Sequence, residues 1–279
     1  MASQQEESRM DSSVFDSIPD TVEAFRMFSI PPLPGSSPPT LSTSLPQPAP
    51  SSHTQLTQLT PFPLPQLGNG EFVVVLDDPN RENEADLIIA AESVTAQQMA
   101  FMVRYSSGLI CAPILPQRTL DLDLPQMVSH NEDSRGTAYT ISVDAADASV
   151  TTGISAHDRA LVCRVLADEK TKPSDLKRPG HVFPLRARPG GVRQRRGHTE
   201  AAIDLCRLAG KKPAAVISEL VDDGREVEGQ AVREEPGMMR GEQCVAFARR
   251  WGLKVCTIED MVKYLEEKEG KLVDVNGSS

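Results

Sequence analysis

The chain has 279 residues, a formal net charge of −10 and a hydrophobic fraction of 39%. This length suits one large domain or two small ones, and the apolar fraction suffices for a sizeable core. The acidic balance argues against a sequence-independent nucleic-acid binder, because such a protein needs a basic surface. The apolar runs, such as 72–76, have the length of strands and are too short to span a membrane.

The N-terminus and the cysteines predict a cytoplasmic protein. The first residues, MASQQEESRMD, are acidic and polar, which is typical of neither a secretory signal nor an Arg-rich transit peptide. The cysteines are odd in number, form no CxxC pair, and lie at positions 111, 163, 206, 244 and 256. Reduced thiols are the simplest interpretation. We expect neither nucleic acid nor a membrane as a partner.

Composition divides the chain into unequal parts. Residues 27–70 contain no Asp, Glu, Lys or Arg, and residues 27–66 hold 11 of the 22 prolines and 12 Ser or Thr residues. Such a stretch buries too little apolar surface to offset the entropy of ordering, so we predict a disordered insert. The predicted organisation is an N-terminal segment with the start of a helix at 1–26, the insert at 27–70, one catalytic domain at 71–270 and a flexible tail at 271–279.

Hydrophobic period and turn residues predict the elements of this domain. In chain order they are a helix start within 16–26, strands 72–76 and 86–92, a helix capped by Thr95, strands 109–114 and 138–144, a helix from the cap Ser155 to Ala167, an extended segment 181–185, a helix 199–209, a strand 214–220, a helix 242–251, a strand 254–258 and a helix capped by Thr257. This alternation predicts an α+β fold, a mixed α/β sandwich in which helices cover a central mixed sheet.

The segment DDPNRENEADLI is the first candidate site. Five carboxylates crowd into this turn-rich stretch, namely Asp77, Asp78, Glu82, Glu84 and Asp86. Crowded carboxylates repel one another unless a divalent cation or a cationic group relieves them. Arg81 within the cluster can hold a phosphate or a carboxylate in its fork geometry. The alternative is a solvated acidic loop, and the local pattern leaves both interpretations open.

A predicted helix begins within the segment RRGHTEA. Gly197 permits a close approach of the backbone, and Thr199 lies where the free N–H groups of the helix begin. A helix N-terminus with a hydroxyl and with arginines, here Arg195 and Arg196, is a phosphate site on first principles. His198 beside it is a candidate metal ligand or proton carrier. The alternative is an ordinary helix start with charged flanks.

Two further positions carry candidate catalytic groups. His181 lies in a Pro/Gly-rich segment at 177–191, which predicts a long loop, and a solvated surface histidine is the alternative there. Glu219 ends the predicted strand 214–220. A carboxylate in that place either caps the next turn or serves as a catalytic group at the edge of the sheet.

Together these segments resemble 3,4-dihydroxy-2-butanone 4-phosphate synthase, an enzyme family of riboflavin biosynthesis. The motifs that carry the resemblance are DDPNRENEADLI, YSSGLIC, TTGISAHDRA, KPSDLKRPGHVFPLRA, GHTEAAIDL and TIEDMVKYL. They run from about 71 to 265, with the helix start near 15–26, and match the monofunctional form. The resemblance implies a lyase that converts D-ribulose 5-phosphate to L-3,4-dihydroxy-2-butanone 4-phosphate and formate. It also implies Mg²⁺ or Mn²⁺, two ions per site, and a homodimer whose sites lie between the subunits.

The resemblance also implies roles for individual residues. The residues that match metal ligands are Glu82 and His198. The residues that match contacts to the sugar are Arg81, Glu82 and Asp86. The loop that holds the substrate corresponds to Arg195, Arg196, Gly197, His198 and Thr199. The residues assigned to catalysis are His181 and Glu219, which match essential positions, and Glu84, which lies within the acidic loop.

Two features do not follow directly from the match. In this family the helix that ends near Arg26 runs almost directly into the strand at 72–76, whereas here about 27–68 intervene. The insert is either a disordered insertion, such as an intron translated in a gene model, or a true regulatory linker. Cys111 matches a position near the family's site, but a small buried hydrophobe is the favoured interpretation of this residue.

Three other functions would use part of this pattern. A metal-dependent phosphosugar isomerase would need similar residues but would release no formate. A non-enzymatic phosphosugar binder would be expected to lose residues of the acidic loop or of GHTEA, and all of them are present. A scaffold role would rest on the Pro-rich insert as a polyproline ligand.

Overall fold

A computed structural model describes residues 14–26 and 72–272. The predicted disordered insert therefore lies outside the described residues, as does the predicted tail beyond 272. Within the described ranges, no helix combines the length and the apolar character that crossing a membrane would require.

Eleven strands and seven α-helices make up the described part of the chain. The strands are β1 (Val73–Leu76), β2 (Ala85–Ala90), β3 (Cys111–Ile114), β4 (Val143–Ala145), β5 (Leu176–Arg186), β6 (Ala215–Glu219), β7 (Val221–Asp222), β8 (Arg225–Glu226), β9 (Arg233–Glu234), β10 (Gly237–Met238) and β11 (Lys254–Thr257). The helices are α1 (Ile18–Arg26), α2 (Ala96–Tyr105), α3 (Pro116–Asp121), α4 (Ala156–Ala167), α5 (His198–Leu208), α6 (Glu242–Trp251) and α7 (Ile258–Glu269).

Seven strands form one mixed sheet in the order β11-β1-β2-β6-β3-β5-β4. The pairs β1–β11 and β3–β5 are parallel, whereas the other neighbours run antiparallel. The remaining four strands form two small hairpin-like sheets, β7 with β10 and β8 with β9. The predicted α+β class, with a mixed central sheet under helices, is confirmed.

Helices cover both faces of the central sheet, and alternate residues of β1 point to opposite faces. Val74 packs in one core with residues of α2, α4 and α6. Val73 and Val75 pack in a second core with residues of α1, α5 and α7. The fold therefore has three layers, in which each face of the sheet buries its own apolar side chains.

The segment before the insert is fixed to the rest of the molecule. Three apolar residues of α1, namely Ile18, Val22 and Phe25, are buried in the second core. The Asp16 carboxylate accepts hydrogen bonds from Arg249, Lys254 and the main-chain N–H of Val255, at 3.0, 3.2 and 2.9 Å. These contacts join the segment before α1 to α6 and to β11.

Local capping signals fix three of the helix starts. The side chains of Thr95, Ser155 and Thr257 each accept a hydrogen bond from the main-chain N–H three residues later, as predicted. Asp158 occupies the capping-box position of α4, but its carboxylate accepts from Thr151 and from the N–H of Gly153. It therefore organises the turn before the helix.

The structure corrects the sequence prediction on the β4–β5 side of the sheet. The predicted strand 138–144 is regular only at Val143–Ala145, although Tyr139 and Thr140 form isolated bridges. The prediction of a long loop at 177–191 is wrong over its first two thirds, because β5 extends from Leu176 to Arg186. Pairing with β3 and β4 stabilises this strand and outweighs its local Pro and Gly content.

Candidate active site

Strand order brings the predicted catalytic segments to one edge of the sheet. The acidic loop connects the end of β1 to the start of β2, and β6 ends at the same edge because it runs antiparallel to β2. Asp86 near the start of β2 lies directly opposite Glu219 at the end of β6. Helix α5 packs against both β2 and β6, so its segment completes the same region.

Asp77 and Arg81 order the acidic loop from within. The buried Asp77 carboxylate accepts the main-chain N–H of Glu84 at 3.0 Å and the Nη1 of Arg81 at 2.6 Å. The same Arg81 nitrogen contacts the Glu82 carboxylate. Arg135, from a distant loop, donates to Glu82 Oε1 at 3.2 Å. These contacts hold the loop in one shape and keep Glu82 at its surface.

Arg195 is held at the start of α5 by a buried carboxylate. Its Nη1 lies 2.5 Å from Glu200 Oε2, and its Nη2 donates to the Thr137 hydroxyl at 3.1 Å. Glu200 also accepts the main-chain N–H of Arg188 at 2.9 Å. A β-carbon on Gly197 would lie 2.3 Å from Arg195 Nη1, so the missing side chain makes room for this guanidinium. Glu200 therefore orients Arg195 and is more than a complement to the helix dipole.

His198 is a neutral imidazole with one nitrogen fixed by the backbone. Its Nε2 lies 3.0 Å from the Val75 carbonyl oxygen, so Nε2 carries the proton and donates. Burial lowers the pKa of His198, which keeps the ring neutral near pH 7. Nδ1 then holds the lone pair, and it lies 3.5 Å from Asp86 Oδ1. A neutral ring with one nitrogen fixed is the state in which histidine binds metals.

A cavity of about 100 Å³ lies between these elements. It brings together eight of the residues predicted from the sequence, which are Arg81, Glu82, Glu84, Asp86, Arg195, His198, Thr199 and Glu219. The sequence reasoning did not select most of the remaining lining residues, which are Leu109, Cys111, Thr137, Tyr139, Leu185, Ile217 and Ser218. Of these, Cys111 alone had been considered, and burial raises the pKa of its thiol, which keeps it protonated.

Two carboxyl groups of the cavity, Asp86 and Glu219, have raised pKa values. Burial, together with the nearby Glu82 and Asp77, raises the pKa of Asp86 to about 8. Burial and the facing Asp86 also raise the pKa of Glu219. A carboxyl group with a pKa of about 8, such as that of Asp86, exchanges protons near neutral pH, and a raised pKa also moves Glu219 toward the range of a general acid or base.

The donors in the cavity fit a hard divalent cation that keeps part of its water shell. Within the described ranges, no three His, Cys, Asp or Glu side chains converge into a complete metal cluster. Glu82 and His198 are the two predicted ligands, and Mg²⁺ commonly takes one or two carboxylates and fills its other positions with water and substrate. Burial is the main cause of the raised pKa of Asp86, and the negative charges of Glu82, Asp77 and Glu84 add to it; a cation would relieve this repulsion.

Three predicted residues lie apart from the cavity lining. Arg196 forms an ion pair with Glu259 of α7 at 2.5 Å. Gly197 is the N-cap residue of α5. His181 lies on β5, where its Nδ1 is 2.8 Å from Asp144 Oδ2 and its main-chain N–H donates to Asp144 Oδ1 at 2.9 Å. Because a carboxylate accepts, Nδ1 carries the proton and Nε2 remains as the proton acceptor.

Several residues of the site have no recognisable pattern in the sequence around them. They lie on one distant loop and on buried strands. Arg135 contacts Glu82, and Thr137 contacts Arg195. The sequence of their segment is typical of an ordinary polar turn. Tyr139 lines the cavity beside Cys111, and its position depends on the bridge between Tyr139 and Leu185. The sequence signal that could have selected Arg135 and Thr137 is their place just before the predicted strand 138–144, and for Tyr139 it is a place at the start of that strand.

Comparison with known proteins agrees with this arrangement. The family model of 3,4-dihydroxy-2-butanone 4-phosphate synthase matches residues 64–264. The chain is 75% identical over 210 residues to the enzyme of this name from Pyricularia oryzae, covering 75% of this chain and 90% of the relative. It is 50% identical over 203 residues to the Saccharomyces cerevisiae enzyme, covering 71% of this chain and 93% of that one.

Solved structures give the same result. A crystal structure of 3,4-dihydroxy-2-butanone 4-phosphate synthase in complex with two magnesium ions superposes with a TM-score of 0.76 at 63% identity, covering 92% of this chain and 100% of that chain. The Candida albicans enzyme gives a TM-score of 0.62 at 50% identity, covering 70% of this chain and 91% of that chain. With the match extending over the sheet, the acidic loop and the start of α5, the chain belongs to the 3,4-dihydroxy-2-butanone 4-phosphate synthase family.

Proposed function

We propose that this chain converts D-ribulose 5-phosphate to L-3,4-dihydroxy-2-butanone 4-phosphate and formate, a lyase step of riboflavin biosynthesis. One observation carries the proposal. A single cavity joins a phosphate-type helix start to carboxyl groups with raised pKa values and to a neutral histidine. The reaction balances without an external oxidant or reductant, because every carbon, hydrogen and oxygen of the substrate is found in the two products, and the water lost in one step is taken up again when formate is released.

The phosphate group would bind at the N-terminus of α5. No side chain caps this helix, since its N-cap is Gly197, so its first N–H groups are available to an anion. Arg195 supplies positive charge beside them, and Thr199 lines the cavity at the same place. With the phosphate here, the carbon chain would extend toward Glu219 and the acidic loop.

Acid–base steps at the carbon chain are the task of the carboxyl groups. The first step removes a proton next to the ketone, and later steps lose water and return protons. Glu219 and Asp86 have the raised pKa values that suit such transfers, and Glu84 lies in the same cavity. A divalent cation held by Glu82 and His198 would supply Lewis-acid polarisation of the substrate carbonyl.

We further propose a homodimer in which His181 of each subunit serves the partner's cavity. His181 is assigned to catalysis, yet it does not line the cavity of its own chain. Its ring is prepared as a base, because Asp144 holds Nδ1 while the side chain is 41% exposed. An exposed, oriented imidazole is the form in which one subunit can supply a proton acceptor to another.

The test of the function is product analysis. Purified protein incubated with D-ribulose 5-phosphate and Mg²⁺ should release formate and the four-carbon phosphate in equal amounts, and EDTA should abolish both until Mg²⁺ is restored. Glu219→Gln should lower turnover by roughly 10²-fold, whereas the control Glu226→Gln on the exposed β8 should not. Pentose phosphate isomers without formate would establish an isomerase, and binding without turnover would establish a binding protein.

A further inference from the structure

A loop at 131–137 lies beside the candidate site and is held in one shape by its own hydrogen bonds. The Asp133 carboxylate accepts the main-chain N–H of Thr137 at 2.6 Å. The Asn131 side chain donates to the Thr137 carbonyl at 2.9 Å and accepts the N–H of Asp133 at 2.9 Å. These bonds do not involve the Arg135 side chain, so the loop keeps its shape when that side chain moves.

The loop contacts two different parts of the site. On the phosphate side, Arg195 donates from Nε to the main-chain carbonyl of Arg135 at 3.2 Å and from Nη2 to the Thr137 hydroxyl at 3.1 Å. On the other side, the Arg135 side chain reaches the acidic loop, where its Nε donates to Glu82 Oε1 at 3.2 Å and its Nη2 donates to the Arg81 carbonyl. The backbone of Arg135 therefore supports Arg195, while its guanidinium contacts Glu82.

Glu82 has two arginine partners, and they differ in how firmly they are held. Arg81 contacts Glu82 Oε2 and also lies 2.6 Å from Asp77, whose side chain is fully buried. Arg135 is exposed, and within the described ranges its ion pair with Glu82 is the one that it forms with a carboxylate. Arg81 is thus fixed by a second carboxylate, whereas Arg135 is the partner of Glu82 that can be exchanged.

A divalent cation bound by Glu82 would compete with these guanidinium groups for the carboxylate. Hard cations seek carboxylate oxygens, as guanidinium groups do, and two positive charges a few ångströms apart repel each other. Asp77 already balances the charge of Arg81. The negative charge of Glu82 is therefore available either to Arg135 or to the cation.

We infer that Arg135 competes with the divalent cation for Glu82 and leaves this carboxylate when the cation binds. The inference rests on the proposed function, in which Glu82 is a metal ligand. Arg135 thereby sets the affinity for the cation, while the backbone of its loop keeps Arg195 in place for the phosphate. The opposite role, in which Arg135 positions Glu82 for the cation, predicts the opposite sign in each measurement below.

The first test measures Mn²⁺ binding to the purified full chain without substrate, from the electron paramagnetic resonance signal of the free ion. Arg135→Gln should lower the Kd for Mn²⁺ about fivefold, which is the effect of an exposed ion pair at the upper end of its range. The matched control is Arg240→Gln, which removes the same charge from the neighbouring Glu84, 2.9 Å away, and should change the Kd by less than about twofold. Because Arg135 is exposed, the thermal unfolding midpoint of its variant should match that of wild type.

The second test leaves the sequence unchanged. Phenylglyoxal modifies accessible guanidinium groups, and mass spectrometry of peptides follows the reaction at single arginines. The rate at Arg135 should rise on addition of Mg²⁺, because its side chain leaves Glu82. Arg225, whose side chain is 69% exposed on β8, is the reference, and its rate should not change.

Four results would each overturn the inference. They are weaker Mn²⁺ binding in Arg135→Gln, a Kd equal to that of wild type, an equal tightening in Arg240→Gln, and an unchanged or slower reaction of Arg135 in the presence of Mg²⁺. Glu82→Gln tests the premise, because it should weaken Mn²⁺ binding, and a wild-type Kd in this variant would overturn the ligand assignment together with the inference. If the predicted changes in Kd appear but the wild-type chain releases no formate, the proposed reaction fails while the competition at Glu82 stands.

Discussion

Arg195 shows how one side chain can join binding to stability. Its guanidinium contacts Glu200, Thr137 and the main-chain carbonyl of Arg135, so all three of its nitrogens are in use. Lysine could not reproduce these contacts, since it carries a single ammonium in place of the planar fork. Glu200 is 1% exposed and depends on this partner. A substitution at Arg195 should therefore change two measurable quantities.

Arg195→Ala should weaken binding of ribulose 5-phosphate by about 2–3 kcal/mol, the size of a charge-assisted contact. It should also lower the free energy of unfolding, because Glu200 would become a buried carboxylate without a cation. The double variant Arg195→Ala/Glu200→Gln separates the two effects, since stability should return while binding should not. Calorimetric titration and denaturant unfolding on the same preparations measure both.

Two comparisons complete this test. Arg196→Ala should weaken binding less than Arg195→Ala, because Arg196 pairs with Glu259 outside the cavity lining. Arg207→Ala on the same helix serves as the control, since its guanidinium pairs with Glu269. Equal losses at Arg195 and Arg207 would contradict the assignment of Arg195 to the phosphate.

Among the elements, the turn before α4 is stabilised by one buried carboxylate. Burial by itself would raise the pKa of Asp158, but hydrogen bonds from Thr151, His157 and the N–H of Gly153 outweigh it and lower the pKa to about 2. In the unfolded chain this carboxyl titrates near 3.8. Folding thus favours the charged form, so its stabilising contribution is complete above pH 4 and is lost as the pH falls toward 2.

Asp158→Asn should lower stability at neutral pH and flatten the decline of stability between pH 4 and pH 2. Asparagine can accept some of these hydrogen bonds but carries no charge to titrate. Urea unfolding at several pH values between 2 and 6 measures the effect, with Asp121→Asn on the exposed face of α3 as the control. A variant whose stability declines with acid as steeply as wild type would assign acid sensitivity to other carboxylates.

Elements with a local signal, such as a cap or an apolar run, were predictable from the sequence, whereas elements that depend on distant contacts alone were not. The caps Thr95, Ser155 and Thr257 act within four residues, so their helices were predicted closely. Strand β5 and the short helix α3 depend on neighbours far along the chain, and they were misjudged or missed. The same division applies to the site, where Arg135 reaches Glu82 across 53 positions. Its role follows from tertiary contact that no local pattern encodes.

For the whole molecule, the proposed sharing of His181 between subunits makes a distinctive prediction. His181→Ala and Glu219→Gln should each give an inactive or nearly inactive homodimer. After the two are mixed and allowed to exchange subunits, each mixed dimer has one cavity with both groups intact. Activity should return to about a quarter of the wild-type value, since half of the dimers are mixed and half of their cavities are complete.

The formate assay on the mixed protein measures this recovery, and size-exclusion chromatography with two differently tagged variants verifies subunit exchange. Mixing either variant with itself is the control. If His181 acts on the cavity of its own chain, every cavity in the mixture lacks one group and no activity returns. That result would contradict the proposed arrangement and leave the phosphate and acid–base assignments untouched.

The attachment of α1 has a consequence for the continuity of the chain. Ile18, Val22 and Phe25 fill the second core, and Asp16 reaches across to Arg249 and Lys254. The helix is thus retained by non-covalent contacts, and its peptide connection to β1 through 27–71 adds an effective concentration of roughly millimolar order for a linker. If the chain were cleaved within 27–71, the fragment that carries α1 would bind the rest of the protein as a ligand binds a receptor. The fraction of cleaved protein that retains α1 would then fall as the protein is diluted, whereas dilution does not detach α1 from an uncleaved chain.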